Sequence, residues 1–440
     1  MPGLYNDRIL IVDLSEGEVN EKGCGADFFN SHIGGAKANL ALYKEYESDD
    51  PIVIGCGPFT GTLFPGGAAA IVTCKSPLNG EVVHFPILLN GGMEFKLSGF
   101  DFVVIKGKSE EPVYLWLHDE IGDLNDAGQY WGKSTWEITE ALRKDMAEDL
   151  VQVISIGVAG ENGSKAAQLC HNYWGTADKW NIAGVFGAKN LKAVAFRGLG
   201  LIEIESSQDF IDGCAGLKKE IISGSIKGKY GILACSEAIG AGETASWAAP
   251  SIHRMIGCFA CPYNCNTFLK YNESPQACAL DGVDAPGFLL TDLASAIKLK
   301  AAGFSSADAG RVLELSAKLG LEPVQVAKAI AGKGKTFAEV EDAVTSLSQS
   351  GADNVEPYSD AWGEKAASSF SAWAPNKKVF STSDASREEL NALAYTLGVC
   401  PLFMLMASEI TLDKVSELLS LGAGIEKSAD EIKEIIKSIG

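Results

Sequence analysis

The stretch GCFACPYNCN, residues 257–266, places three cysteines within eight positions. Their spacing is Cys-x-x-Cys-x-x-x-Cys, formed by Cys258, Cys261 and Cys265. A tight loop with this spacing can supply three thiolates to separate iron corners of an iron–sulfur cluster. A zinc knot, which also uses four cysteines, is the alternative. Structural zinc sites favour two paired Cys-x-x-Cys units, so the stretch predicts a 4Fe–4S site.

The fourth ligand is expected from a distant part of the chain. Cys400, in YTLGVCPLF, is the best candidate, because it follows a glycine, precedes a proline and ends an apolar helical run. The predicted cofactor and metal ligands are therefore Cys258, Cys261, Cys265 and Cys400. The other cysteines stand mostly among apolar or small residues and are interpreted as buried small hydrophobes. Because the total of eleven is odd, no disulfide framework is expected.

Length and charge limit the function further. A chain of 440 residues suggests two or three domains with a substantial core. Its net charge of −20 disfavours nucleic acid and anionic membranes as partners. An acidic partner such as a ferredoxin would need a local basic patch. The N-terminus does not resemble a signal peptide, and no apolar run has the length of a membrane helix, so a cytoplasmic protein without membrane insertion is predicted.

The pattern of apolar and turn residues changes near residue 205. Residues 1–205 contain short β-branched runs ended by turn residues, such as RILIVDL, DPIVIGCG, AAIVTCK, FDFVVIKGK, EPVYLWLHD, DLVQVISIG and LKAVAFRG. Residues 206–344 show helical periodicity and carry the cysteine loop, and 345–440 hold the fourth cysteine. Residues 345–386 are polar and are interpreted as a long connection. The predicted fold class is α+β, with a mostly-β N-terminal domain followed by a mostly helical half.

The chain resembles the aldehyde:ferredoxin oxidoreductases, which are tungstopterin enzymes. The segments that carry the resemblance, nearly end to end, are CGPFTGT, KSPLNG, KLSGFDFVVIKGKSEEPVYLWL, WGKSTWEITEALR, IGVAGEN, GAKNLKAVAFRG, GCFACPYNC and TLGVC. The resemblance implies the same α+β fold, an anaerobic way of life, and a 4Fe–4S cluster on the four cysteines named above. It also implies two pterins around one tungsten atom, and electron transfer from an aldehyde to ferredoxin.

The positions that match the family's pterin contacts are altered. A Gly-Gly-basic-Gly turn reads GGAKA, with Lys37 for a glycine, and the arginine of Ser-Gly-Arg-Phe is Ala69. We call the whole set the pterin-matched positions: Gly34, Gly35 and Lys37, Ala69, 86–89 (PILL for Asn-Ala-Gly-Gly), Lys179 to Asn181 (for Arg-Gly-Gly), Glu322 to Ala327 (for Asp-x-x-Ser-x-Gly), and Tyr395 (for an aspartate). Bulky apolar groups would occupy the pterin volume without satisfying its polar atoms. Tungstopterin binding is therefore not expected.

No catalytic residue is predicted. The glutamate segment that follows the family's cysteine loop has no match, and Asp281, Asp284 and Asp292 are interpreted as turn residues or helix caps. Of the five histidines, only His171 lies in a polar and aromatic neighbourhood. The glycine-rich stretch AIGAGETAS, 238–246, lacks the strand–turn–helix context of a dinucleotide site and is interpreted as a loop.

Three functions remain open. The favoured hypothesis is a pterin-free 4Fe–4S subunit that transfers electrons or acts as a scaffold in an oxidoreductase complex. Its expected partners are other redox subunits, such as a catalytic relative or a ferredoxin-like protein. The alternatives are an active tungstopterin enzyme that oxidises aldehydes to carboxylates, and a structural subunit whose cluster only holds the helical domains together.

Overall fold

The structure is a computed structural model that describes residues 2–238, 240–270, 287–290, 293–349, 385–437 and 439. Its strands in chain order are β1 (Ile9–Asp13), β2 (Glu18–Lys22), β3 (Ile52–Cys56), β4 (Ala70–Lys75), β5 (Val82–Ile87), β6 (Phe102–Lys106), β7 (Val113–His118), β8 (Ile121–Asp126), β9 (Gln152–Ser155), β10 (Cys170–His171), β11 (Trp174–Gly175), β12 (Leu191–Arg197), β13 (Ile252–Ile256), β14 (Asn266–Lys270) and β15 (Gly287–Leu290).

The helices of the same ranges begin in the N-terminal part and dominate the remainder. They are α1 (Ala26–His32), α2 (Gly35–Glu45), α3 (Gly91–Leu97), α4 (Thr135–Met146), α5 (Val158–Glu161), α6 (Ile182–Ala188), α7 (Ser207–Ser223), α8 (Cys235–Ala238), α9 (Glu243–Ala248), α10 (Leu293–Ala301), α11 (Ser306–Leu319), α12 (Pro323–Ile330), α13 (Phe337–Gln349), α14 (Arg387–Leu397), α15 (Pro401–Met406), α16 (Leu412–Ala423) and α17 (Ala429–Lys437). None of the helices described is long and apolar enough to cross a membrane.

Two six-stranded sheets build the N-terminal part. The first has the order β2-β1-β6-β3-β4-β5, in which β1 and β6 are parallel and the other pairs are antiparallel. The second has the order β11-β10-β9-β12-β7-β8, with β12 parallel to β7. Strand β3 is buried along its whole length, which explains its continuous apolar sequence. The predicted mostly-β domain followed by a helical half is confirmed.

Local signals fixed several element ends. The seven β-branched runs quoted above became β1, β3, β4, β6, β7, β9 and β12. Ser134 is the cap of α4. Its side chain accepts the backbone N–H of Glu137, whose carboxylate accepts the Ser134 N–H in return, a capping box.

Two expectations about the helical half need correction. A small sheet of order β13-β14-β15 interrupts it, and the short, cysteine-rich sequence around these strands gave no clear alternation. The polar connection predicted for 345–386 begins too early, since α13 continues to Gln349, but its predicted end agrees with the start of α14 at Arg387, after the cap residue Ser386. Val340 and Val344, four residues apart, bury one face of α13 under a polar surface. Residues 350–384 lie outside the described part.

The helical part packs directly onto both sheets. At the first sheet, Gly35 (φ 45°) lies so close to α14 that a Cβ would stand 1.9 Å from the Tyr395 carbonyl oxygen. At the second sheet, the Thr135 hydroxyl donates to the Ala317 carbonyl (2.8 Å), and the Gln168 amide donates to the Leu321 carbonyl (2.7 Å). These contacts set the positions of the two cysteine-bearing segments relative to the N-terminal part.

Candidate metal centre

The cysteine loop is the connection between two antiparallel strands. β13 ends at Ile256 and β14 begins at Asn266, and these two residues face each other in the ladder. Within the loop, the Cys261 N–H donates to the Cys258 carbonyl (3.1 Å), which forms a turn, and Ala260 takes a left-handed conformation at φ 53°. The hairpin therefore fixes both ends of the loop and leaves the three thiols on one short turn.

Cys400 lies where one helix ends and the next begins. Gly398 ends α14 in a left-handed conformation (φ 74°), and a Cβ there would meet the Thr60 hydroxyl at 2.0 Å. Cys400 is then the cap residue of α15, with Pro401 at the first helical position. The Cys400 N–H donates to the Gly66 carbonyl (2.9 Å). This junction is thus bonded to the N-terminal part through its backbone.

The structure brings the four predicted cysteines together. Burial raises the pKa of each thiol. The pKa of Cys265 is raised further by the thiols of Cys258, Cys261 and Cys400. The pKa of Cys400 is raised further by Cys258 and Cys261, and that of Cys261 by Cys258. Cys261 is half-buried, with a pKa of about 12, while the other three are buried. We call these residues the four-thiol site. Across the described ranges, no three Cys, His, Asp or Glu side chains are arranged to hold a single metal ion.

Hydrogen-bond donors point at the sulfur atoms of this site. The Leu89 N–H donates to the Cys258 Sγ (3.3 Å), and the Asn266 amide lies 3.8 Å from the same sulfur. Backbone hydrogen bonds from Phe403 and Leu402 lower the pKa of Cys400 against the effect of burial. Donors of this kind stabilise a thiolate over a thiol.

The sequence did not predict these hydrogen bonds to the thiol sulfurs. Asn266 directly follows Cys265 in the opening stretch, so its position could have suggested the role. Leu89 acts through its backbone at φ 58°, and it also accepts the Phe259 N–H (3.2 Å). No side-chain signal marks such a contact. Another missed residue, Cys235, lies 3.8 Å from the Tyr263 hydroxyl beneath the loop.

Most of the pterin-matched positions are closed by packing. Ala69 is fully buried, and its N–H donates to the Gly398 carbonyl (3.0 Å). Trp180 and Tyr395 are among the largest fully buried side chains, with at most 1% of their surface exposed. Leu88 and Leu89 are half-buried against the main core. By the resemblance, these four large side chains stand at positions that match the family's pterin contacts.

Two charged members of the set pair with each other. Lys179 lies in the N-terminal part and Glu322 in the helical part, and their side chains form an ion pair with 2% and 4% of their surface exposed. The Glu322 carboxylate also accepts the backbone N–H groups of Val324 (3.1 Å) and Gln325 (2.8 Å) at the start of α12. The charge that stands where the family has an aspartate is therefore satisfied within this chain.

Two cavities that described residues line beside these positions are small. One of about 30 Å³ is lined by Pro86, Leu88, Leu89 and His171, among others. A second of about 270 Å³ opens beside Leu89 and the start of the cysteine loop. Pockets that hold small molecules usually measure about 300–1,000 Å³. A third cavity of about 410 Å³ between α14, α15 and α17 touches none of the pterin-matched positions.

The remaining candidates do not join the site. His171 is buried and its Nε2 is 3.0 Å from the Gln152 side-chain oxygen, and burial lowers its pKa to about 3. A neutral histidine bonded to an amide fits a packing role. Asp281, Asp284, Asp292 and Cys278 lie outside the described residues.

Comparison with known proteins connects these features to a family. Residues 9–198 match the family described as the N-terminal domain of aldehyde ferredoxin oxidoreductase. A tungsten-containing aldehyde ferredoxin oxidoreductase of Pyrococcus abyssi is 31% identical over 59% of this chain and 48% of its own length. A WOR-like subunit of an aliphatic sulfonate oxidoreductase from Pyrococcus furiosus is 32% identical over 44% of this chain and 35% of its own. The chain spans about half the length of the curated tungsten-containing relatives it matches.

A solved structure supports the fold along the whole chain. The active site complex BamBC of benzoyl coenzyme A reductase, with 1,5-dienoyl-CoA, superposes with a TM-score of 0.78. The match covers 100% of this chain and 88% of the other at 17% identity, so it bears on the fold alone. Residues 9–198 therefore match the N-terminal domain of the aldehyde ferredoxin oxidoreductase family, and part of the chain is similar to tungsten-containing members of that family.

Proposed function

We propose that the chain is a 4Fe–4S subunit of an oxidoreductase complex and that it carries no tungstopterin. The observation behind this proposal is the four-thiol site, where a β-hairpin loop and a helix junction some 135 positions later converge. When bound, the cluster would supply one-electron transfer. Cys258, Cys261, Cys265 and Cys400 would each hold one iron corner.

The donor set suits a cluster better than a zinc ion. Structural zinc sites favour two paired Cys-x-x-Cys units, whereas this loop spaces three cysteines as Cys-x-x-Cys-x-x-x-Cys. The thiols of the loop and of Cys400 also affect one another electrostatically. The N–H groups of Leu89 and the Asn266 amide are placed to stabilise the sulfur charge, as second contacts do at metal sites.

The pterin-matched positions do not fit tungstopterin. A pterin cofactor needs donors and acceptors along its ring edges and charge at its phosphates. Here Ala69 offers no side-chain donor, Trp180 and Tyr395 are packed into the core, and Lys179 is paired with Glu322. Placing two pterins would require large buried side chains to leave their positions, so the aldehyde chemistry of the relatives is assigned to another subunit.

Relatives support a multisubunit setting. One is named as a WOR-like subunit of an aliphatic sulfonate oxidoreductase, and the structural neighbour is an active site complex. We expect the partners to be a cofactor-bearing catalytic subunit and a ferredoxin-like protein. Among the described residues ten cysteines are free and none forms a disulfide, which fits a reducing, cytoplasmic compartment.

Elemental analysis of protein purified without oxygen tests the proposal. We expect about four irons and four acid-labile sulfides per chain, because each thiolate binds one iron corner. Tungsten, molybdenum and oxidised-pterin fluorescence should be absent. Near-stoichiometric tungsten with pterin would favour the active-enzyme alternative, and zinc without iron would refute the cluster. A cluster that cannot be reduced, alone or with partners, would favour the alternative of a structural subunit whose cluster only holds the helical domains together.

A further inference from the structure

The segment that follows α7 lies against the cysteine loop. The Gly231 N–H donates to the Asn264 carbonyl (3.1 Å), and the next N–H donates to the Cys265 carbonyl (2.8 Å). The Tyr263 hydroxyl in turn donates to the Gly231 carbonyl (2.8 Å). The carboxylate of Glu409 holds the other end of the segment by accepting the Ser225 N–H (2.8 Å). Residues 224–231 are therefore fixed at the edge of the four-thiol site.

Exposed lysines cluster at this edge although the chain as a whole carries −20. Lys218, Lys219, Lys227 and Lys229 have one glutamate between them, and Asp212 and Glu237 flank this stretch. The glutamate, Glu220, is already paired with Lys414. Lys218, Lys227 and Lys229 are exposed, and no ion pair of theirs is found within the described ranges. These ammonium groups concentrate positive charge beside the cysteine loop.

The four-thiol site comes nearest to solvent at the same place. Cys261 is half-buried, whereas Cys258, Cys265 and Cys400 are buried. Burial dominates the pKa of Cys261, and Lys218 is among the nearby charges that lower it, so this ammonium group lies within electrostatic range of the sulfur. Tyr230 beside the lysines is 63% exposed. An exposed aromatic residue among cations resembles the small interfaces of transient redox complexes.

We propose that the surface formed by Lys218, Lys227, Lys229 and Tyr230 docks a small acidic one-electron redox protein next to Cys261. This inference rests on the proposed cluster. One electron leaves the reduced partner, which is oxidised by one electron, and enters the cluster, which is reduced by one electron. No bond forms or breaks and no proton moves. The cationic surface would orient an acidic partner that the rest of the chain repels.

Stopped-flow reduction of the oxygen-free protein tests the docking surface. The probe is a reduced acidic plant-type 2Fe–2S ferredoxin at about 20 mM ionic strength, where steering between exposed charges is strong. The variant is the triple change Lys218→Gln, Lys227→Gln and Lys229→Gln. Its matched control, with the same change in net charge, replaces three exposed lysines of the N-terminal part: Lys44→Gln, Lys75→Gln and Lys108→Gln.

We expect the docking variant to lower the second-order rate constant by about tenfold or more, and the control by less than about twofold. The difference should vanish near 0.5 M salt, and dithionite should reduce all three proteins at the same rate. Equal rates for wild type and the docking variant at low salt would overturn the inference. The inference would also be overturned if the docking variant lost more of its binding to anionic lipid vesicles than of its rate of reduction by ferredoxin. Iron and sulfide analysis separates these results from failure of the proposed function, in which the wild type itself would lack a cluster.

Discussion

The four-thiol site and the pterin-matched positions lie at the same interface between the sheets and the helices, but their polar groups have different bonding partners. At the four-thiol site, the Leu89 N–H and the Asn266 amide point at the sulfur of Cys258. At the pterin-matched positions, Lys179 and Glu322 satisfy each other, and Trp180 and Tyr395 fill space. The first site therefore directs donors at thiols, whereas the second is filled by packing and internal pairing.

The largest expected effect concerns the fourth cysteine. Cys400→Ala should remove nearly all iron, because the three loop thiolates cannot hold a four-iron cluster alone. It should also lower the melting temperature, since the tie between two segments some 135 positions apart is lost. Iron and sulfide analysis with calorimetry measures both. Cys214→Ala, a change at a buried cysteine of α7, is the control and should keep its iron. Full iron content in the Cys400 variant would mean that the fourth ligand is a different residue.

The next effect tests whether the pterin-matched positions are closed. Tyr395→Asp restores the residue type of the family but places a carboxylate in a fully buried aromatic volume. We expect the free energy of unfolding to fall by about 4 kcal/mol, from the lost packing and the buried charge. Denaturant unfolding measures this loss, with Tyr395→Phe as the control that keeps the ring. Unchanged stability, or uptake of tungstopterin, would show an open pocket.

The buried ion pair gives a somewhat smaller effect. Lys179→Met leaves the Glu322 carboxylate buried without its cation, which should cost about 3 kcal/mol. Glu322 keeps its bonds to the start of α12 in either case. The double variant Lys179→Met with Glu322→Gln removes the unpaired charge and should regain part of the loss. A double-mutant cycle measures the coupling. Additive effects would mean that the two charges do not stabilise each other.

The smallest effect is a dependence on pH. Burial lowers the pKa of His171 to about 3, with a smaller contribution from Arg143. Between pH 6.5 and 3 the folded state therefore binds fewer protons than the unfolded state, and the free energy of unfolding falls as the pH falls. From pH 7 to 5 this one histidine should account for about 2 kcal/mol. His171→Gln should remove that share, whereas the exposed control His253→Gln should not. Equal pH profiles would show that water reaches His171, as in an open pocket.

Much of the fold could be predicted from the sequence, for reasons that differ between regions. Strands such as β3 and β12 were predicted because continuous β-branched runs between turn residues have few alternative structures. The start of α4 carries a local signal, since Ser134 is followed three residues later by Glu137. The small sheet β13-β14-β15 was missed because its strands alternate weakly and depend on pairing across the cysteine loop. Local sequence does not encode such pairing.

The sequence by itself determined which residues could bind iron and which family contacts had changed. Cysteine spacing and residue identity are chemical facts that need no coordinates, and the resemblance followed from motifs in a fixed order. Only the tertiary structure decided that Cys400 lies with the loop cysteines, that the Leu89 backbone faces Cys258, and that Lys179 meets Glu322 from 143 positions away. Such contacts arise from how the helices pack on the sheets. That packing is set by many weak contacts distributed over the whole core, so no short stretch of sequence records it.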